Sequence, residues 1–257
     1  MKIIDLNCDM GESFGAYKLG MDDQVMPHIT SANIACGWHA GDPTVMDTTV
    51  RLAKENGVSI GAHPGFPDLL GFGRRNMACA PDDVTQYIIY QVAALAGFCQ
   101  VHGTRLQHVK AHGALYLNAV ENETTARGIA EGILKLDTDL IFVALAGKKG
   151  ETMRKIGKEL GLKVAYEAFP DRAYTPDGTL VPRKEPGAVI SDPEEVARRA
   201  LDMANGFVKA VDSSIIDLEV QTLCVHGDNQ AAVSLVKTIR SRLASADIQV
   251  SPMGENI

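Results

Sequence analysis

Short apolar runs and amphipathic stretches alternate along the whole chain. Eight runs read as strands, at residues 3–8, 31–36, 58–62, 107–111, 140–144, 163–168, 188–190 and 222–225. Most are continuously apolar, as expected of parallel strands covered on both faces. Helical signals lie between them. Asp42-Pro43 and Asp192-Pro193 each place a capping acid before a proline at the first helical position, and Gly57 reads as a C-terminal stop. Val196, Ala200, Met203 and Phe207 follow the second cap at helical spacing, and Ile88, Val92, Leu95 and Cys99 repeat it on a helix opened by Pro81 and closing near Gly103. Further helices are predicted over 124–136, 151–160 and 230–243. About eight βα units predict a closed α/β barrel. The run at 188–190 is the weakest strand, so the expectation is a single irregular (β/α) barrel of seven or eight strands, one domain over residues 1–257. An open doubly wound sheet is the rival, but it gathers ligands at one switch point. Here polar residues follow strands one, two, three, four, six and eight, which fits a ring.

Those polar residues are the candidate chemistry. His39 (NIACGWHAGD), His63 (SIGAHPG), His112 (VKAHGALY) and His226 (LCVHGDN) each stand just past an apolar run. The first strand ends in Asn7, Asp9 and Glu12, and period-two alternation puts Asp5, Asn7 and Asp9 on one face. In a parallel barrel the carboxyl ends of the strands share one face, where loops carry the chemistry. Acids buried there need a cation or hydrogen-bond donors nearby. Two imidazoles and a carboxylate, Asp9, His39 and His63, are a ligand set for a divalent metal. The same residues can equally serve metal-free acid/base work or a structural role. Lys110, two residues from His112, is expected to meet an acid or an anionic substrate. His226 and Asp228 repeat the theme, the bland alternative being a capped helix start. Arg74 and Arg75 sit in one long loop, 64–80, and Arg172, Arg183 and Lys184 in another, 169–187; either set can clamp a carboxylate or phosphate. TPDG at 175–178 predicts a small hairpin there. His28, His102 and His108 lack the strand-end placement and are expected to be structural or exposed, while Trp38 either walls the pocket or fills core.

Composition narrows the functional classes. The 257 residues are 46% hydrophobic and 22% charged, enough for a large core, and the net charge of −7 argues against nucleic acid as a partner. Cys8, Cys36, Cys79, Cys99 and Cys224 form no CxxC pair and read as reduced thiols. No basic-then-apolar leader is read, and the longest apolar run, LIFVALA, is too short to span a bilayer. A soluble, cytoplasmic protein without a membrane partner is expected. The chain contains no GxxxxGK(S/T) phosphate loop, GxSxG elbow or HExxH pattern.

DLNCDMGESFG, SANIACGWHAGDP, IGAHPGFPDLLGFGRR, VKAHGALYLN and CVHGDN occur in that order from Asp5 almost to the end of the chain. Together they resemble the LamB/YcsF family. The resemblance implies a barrel similar to the glycoside hydrolase/deacetylase type. It also implies ATP-dependent opening of 5-oxo-L-proline to L-glutamate, with ATP converted to ADP and phosphate, in a complex with 5-oxoprolinase subunits B and C. On that reading Asp9, His39, His63 and His112 are catalytic, and Asn7, Glu12, Arg74, Lys110, Arg172, His226 and Asp228 contact substrate. ATP is then a co-substrate held here or on a partner, and a divalent metal remains an option at Asp9, His39 and His63. Two other classes stay open: a metal-dependent deacetylase of N-acyl sugars, and a non-catalytic ligand-binding subunit.

Overall fold

The computed structural model describes residues 2–226 and 232–257. Within them the strands are β1 (Lys2–Met10), β2 (Ser31–Ala35), β3 (Ser59–His63), β4 (Leu106–Val109), β5 (Ile141–Leu145), β6 (Val164–Ala168), β7 (Phe207–Lys209), β8 (Ile215–Asp217), β9 (Thr222–His226) and β10 (Ile248–Val250). The helices are α1 (Asp22–Val25), α2 (Pro43–Glu55), α3 (Pro81–Val101), α4 (Gly113–Glu121), α5 (Glu123–Leu136), α6 (Glu151–Glu159), α7 (Pro193–Ala204) and α8 (Ala232–Ala244). Strands β1 to β6 and β9 pair in parallel, and β9 returns to β1, closing a seven-stranded barrel. Strand β10 pairs with the start of β1, while β7 and β8 form a separate antiparallel ribbon.

The expected eighth barrel strand at 188–190 is not one. It makes a single antiparallel bridge, Val189 to Arg172. Strand β9 pairs directly with both β6 and β1, so the ring has no edge left for it. Some short elements had no clear signal. Helix α4 opens at His112-Gly113 without a side-chain cap, and β7, β8 and β10 are three residues each. Phe207 belongs to β7, because α7 ends at Ala204, Asn205 caps it and Gly206 takes a φ of +99°.

Other local expectations hold for physical reasons. Asp42 accepts from Val45 N at 2.9 Å and Asp192 from Glu195 N at 2.8 Å, each satisfying a donor that a helix start leaves unpaired. The TPDG turn closes through Gly178 N to Thr175 O at 2.9 Å, and Tyr174 bridges Leu180 across the hairpin. Helix α3 is long and apolar enough to cross a membrane by length and composition, but Ile88, Val92, Leu95 and Cys99 are buried in the core.

Alternation along β1 decides where the chemistry goes. Ile4, Leu6, Cys8 and Met10 join the large core cluster, and Asp5, Asn7 and Asp9 take the other face, into the barrel. Within the barrel Ile141, Val143, Ala165 and Met253 form a second, apolar cluster. Beside it the buried side chains of Asp5, Asn7, Asp9, Asn33, His108, Lys110 and Glu167 give the barrel a polar centre.

Candidate active site

Because all seven strands run the same way, their ends deliver side chains to one region. Asp9 lies opposite Asn33 on β2 and His226 on β9. His63 ends β3, His226 ends β9, and Lys110 follows β4 directly. The backbone N–H groups of Lys110 and His112 still donate to Ala62 and Pro64, so this segment continues along β3 beyond the regular ladder.

Lys110 is the hub. Its Nζ lies 2.9 Å from Asp9 Oδ1, 2.9 Å from Glu167 Oε1, 2.9 Å from Cys224 Sγ and 3.4 Å from Asn7 Oδ1, and it is only 2% exposed. Burial opposes its charge, but Asp9, Cys224 and Glu167 together raise its pKa well above the ordinary lysine value. For Asp9 burial likewise opposes ionisation, and the imidazole of His63 and the ammonium of Lys110 outweigh it, holding the carboxyl well below the usual range.

Asn33 and His108 hold Asp9 from the other side. Asn33 Nδ2 donates to Asp9 Oδ1 at 2.8 Å and to Asn7 Oδ1 at 2.7 Å, leaving its Oδ1 to accept from His108 Nε2 at 2.8 Å. His108, expected to be structural or exposed, is fully buried one hydrogen bond away from Asn33, and burial lowers its pKa to about 3, keeping it neutral. The ring lies across β3 at Gly61, where a Cβ would run into His108 Nε2. Gly61→Ala is therefore expected to displace the ring and lower stability by about 1–3 kcal/mol, the range for overpacking. Urea unfolding of the two proteins measures this; equal midpoints would mean that the ring has another place to go.

Deeper in the barrel Asp5 accepts from Thr30 Oγ1 at 2.8 Å, Ser31 Oγ at 2.6 Å and Thr222 Oγ1 at 2.5 Å. Burial outweighs these donors and raises its pKa from 3.8 to about 6. The folded state thus binds the proton more tightly than the unfolded one. Its stabilising effect is complete below the unfolded pKa and is lost as pH rises through the folded one. Relative to Asp5→Asn, the wild type should lose about 3 kcal/mol between about pH 4 and pH 7, as a shift of roughly two units implies. A difference independent of pH in paired denaturant titrations would show that Asp5 titrates normally.

Above Asp9 sits a cluster of imidazoles. His63 Nδ1 bonds Lys110 O at 2.7 Å, and His112 Nε2 bonds Phe72 O at 2.9 Å. His112 Nδ1 and His63 Nε2 then face each other at 3.0 Å. The His39 ring stacks on His112 with centroids 3.7 Å apart and planes 2° from parallel. His39 Nε2 is 3.4 Å and His112 Nδ1 3.7 Å from Glu12 Oε1, and Asp9 Oδ2 is 3.4 Å from His63 Nε2. Burial, then the neighbouring imidazoles, push the pKa values of His39 and His112 well below the usual value. Gly73 leaves room for the stack, since a Cβ there would meet His39 and His112 at 2.7 and 2.8 Å. Glu12, His39, His63 and His112 each offer a donor atom, all within 4.8 Å of one another, and Asp9, Cys224 and His226 form a second such group.

The rim completes the site. Asp171 Oδ2 accepts from His226 N at 3.2 Å and bonds its Nδ1 at 2.7 Å, and the ring stacks on Phe169 at 5.9 Å. The Arg74 guanidinium lies 4.8 Å from the Phe72 ring centre, on an exposed stretch of the 64–80 loop. Arg172, expected to contact substrate, is instead buried, with Nε and Nη2 donating to Ala188 O and Val181 O, so it braces the 169–187 loop. Arg75 pairs with Asp68. Trp38 packs on Tyr87 and Tyr90. Asp228 lies outside the described residues.

Asp9, His39, His63, His112, Asn7, Glu12, Lys110 and His226 thus converge as read from the strand ends. Asn33, His108, Glu167, Asp171 and Cys224 belong to the same network and were missed. Two had signals: Glu167 is an acid inside the apolar run VAYEA, and His108 falls in period two with Lys110 and His112.

Residues 4–257 match the LamB/YcsF family. A Pyrococcus furiosus protein, named as the A subunit of 5-oxoprolinase, is 56% identical over 255 residues, covering 99% of each chain. One of the same name from Natranaerobius thermophilus is 52% identical over 255 residues, covering 99% of this chain and 98% of its own. The crystal structure of a lactam utilization protein from Thermus thermophilus superposes with a TM-score of 0.91 at 46% identity, over 98% of this chain and 99% of that one.

Proposed function

The chain belongs to the LamB/YcsF family, and from that premise we propose that it is the A subunit of an ATP-dependent 5-oxoprolinase. Its substrate is 5-oxo-L-proline, whose lactam it opens to L-glutamate with ATP converted to ADP and phosphate. The observation that carries the reading is the buried Asp9–Lys110–Glu167 group at the barrel mouth, in a chain 56% identical to a protein of that name.

A lactam carbonyl is a poor electrophile. Phosphoryl transfer from ATP to its oxygen forms the O–P bond, releases ADP and leaves an imidate-like carbon. Water attacks that carbon, the C–N bond breaks with a proton passing to nitrogen, and a second water releases phosphate. Asp9, kept ionised by Lys110 and His63 and aimed by Asn33, accepts a hydrogen bond from the attacking water and orients it. His226, held through Nδ1 by Asp171, stands at the end of β9 opposite Asp9 and handles the proton for the ring nitrogen. Arg74 on the exposed loop is placed for the substrate carboxylate or the phosphate. The chain has no phosphate loop of the GxxxxGK(S/T) type, so subunits B and C are the proposed partners for ATP.

Reconstitution tests the reading. This chain is combined with B and C subunits, 5-oxo-L-proline and ATP, and glutamate and phosphate are scored together. Coupled release that needs all three chains supports it. Hydrolysis of N-acetyl sugars by the chain alone, without ATP, would move it to the deacetylases. Normal turnover in complexes carrying Asp9, His63 and His226 variants alike would make it a non-catalytic subunit.

A further inference from the structure

From the chain's own donor atoms we infer that Glu12, His39, His63 and His112 bind one divalent first-row transition-metal ion of the zinc type. A carbonyl oxygen only accepts, so the contact with Lys110 O places a hydrogen on His63 Nδ1, and the contact with Phe72 O places one on His112 Nε2. With no proton or cation between them, the other nitrogens, His63 Nε2 and His112 Nδ1, are both lone pairs, and His63 then carries no charge towards Asp9 Oδ2, 3.4 Å away. The two nitrogens point at each other across 3.0 Å. Two facing acceptors repel unless a proton or a metal cation lies between them.

His39 decides between these. It is fully buried, and neither ring nitrogen has a hydrogen-bond partner. A proton shared by His63 and His112 leaves both His39 ring nitrogens without a hydrogen bond. A single cation serves all three rings once His39 turns out of its parallel stack on His112, since a ring nitrogen's lone pair lies in the ring plane. The carboxylate of Glu12, 3.4 Å from His39 Nε2 and 3.7 Å from His112 Nδ1, supplies negative charge on the same side. Donors bound to one ion at about 2.0–2.1 Å lie roughly 3–3.5 Å apart, close to the separations seen here. The outer hydrogen bonds of His63 and His112 to backbone carbonyls also match the way metal-bound imidazoles are oriented. Three nitrogens and one oxygen favour zinc-type ions over magnesium or calcium, which prefer oxygen.

The other donor group, Asp9, Cys224 and His226, carries no such site. The Lys110 ammonium already stands 2.9 Å from both Asp9 and Cys224 and acts as the cation there. Asp9, expected among the ligands, is therefore engaged by lysine, with only its Oδ2 near the imidazoles, at 3.4 Å from His63. A bound ion would polarise a water or a carbonyl oxygen at the mouth.

The test uses the full chain, stripped with chelator and dialysed against zinc or cobalt(II), without substrate, ATP or partners. It can thus fail or succeed separately from the lactam reading. The expected result is one ion per chain by elemental analysis, a visible cobalt(II) spectrum, and a melting temperature that rises with metal concentration. His39→Ala and Glu12→Gln should each weaken binding about tenfold or more, whereas His102→Ala, at a surface pair with Asp47, should bind as the wild type does. Circular dichroism checks folding, and Glu12→Gln, nearly isosteric, guards against loss of the core. Wild type that takes up no stoichiometric metal would overturn the inference and leave a shared proton between His63 and His112. So would equal affinity in wild type, His39→Ala and Glu12→Gln.

Discussion

Lys110→Met is expected to be about 3–5 kcal/mol less stable than the wild type at neutral pH, because it leaves buried carboxylates without their counterion. Asp9 and Glu167 each lie 2.9 Å from the ammonium, and both are buried. Methionine fills similar volume, so the loss reports charge rather than a cavity. The deficit should shrink on acidification. In the wild type the depressed Asp9 pKa contributes stability present above the unfolded value of about 3.8, and that contribution is lost as pH falls through the folded one. Urea unfolding at several pH values reads both effects. A variant within about 1 kcal/mol of wild type at neutral pH would mean that these carboxylates are neutralised in some other way.

Asp9→Asn should separate chemistry from folding. Lys110 keeps Glu167 and Cys224, and the new amide oxygen can still accept from Asn33, so the stability loss should be smaller than in Lys110→Met. Turnover is another matter. A carboxylate that orients the attacking water is typically worth about a hundredfold, and glutamate release by the reconstituted complex should fall by at least that much. Near-normal release with an unchanged melting temperature would remove Asp9 from the reaction.

Much of this site was legible from local pattern. Asp5, Asn7 and Asp9 alternate in an otherwise apolar strand, and period two puts them on one face whatever the tertiary fold. His39, His63, His112 and His226 were legible because strand ends converge in any parallel barrel. His108 escapes a reading of strand ends because it lies within an apolar run rather than just past one. What seats it, Gly61 and Asn33, is 47 and 75 residues away, and a glycine in a strand says nothing of which ring lies over it. Arg172 looked like a ligand clamp because an arginine in a long loop usually faces solvent. The fold turned it onto the carbonyls of its own loop.

The amino-acid order alone determined that polar groups stand at the ends of apolar strands, and hence the barrel class and the face carrying the chemistry. Hydrophobic periodicity is a local property, carried by residues two to four apart. Ring closure on seven strands rather than eight, the grip of Lys110 on Asp9 across 101 residues and the meeting of His63 with His112 across 49 were decided only by the tertiary structure. Those contacts depend on strand register and on where β9 closes against β1, and no local pattern encodes either.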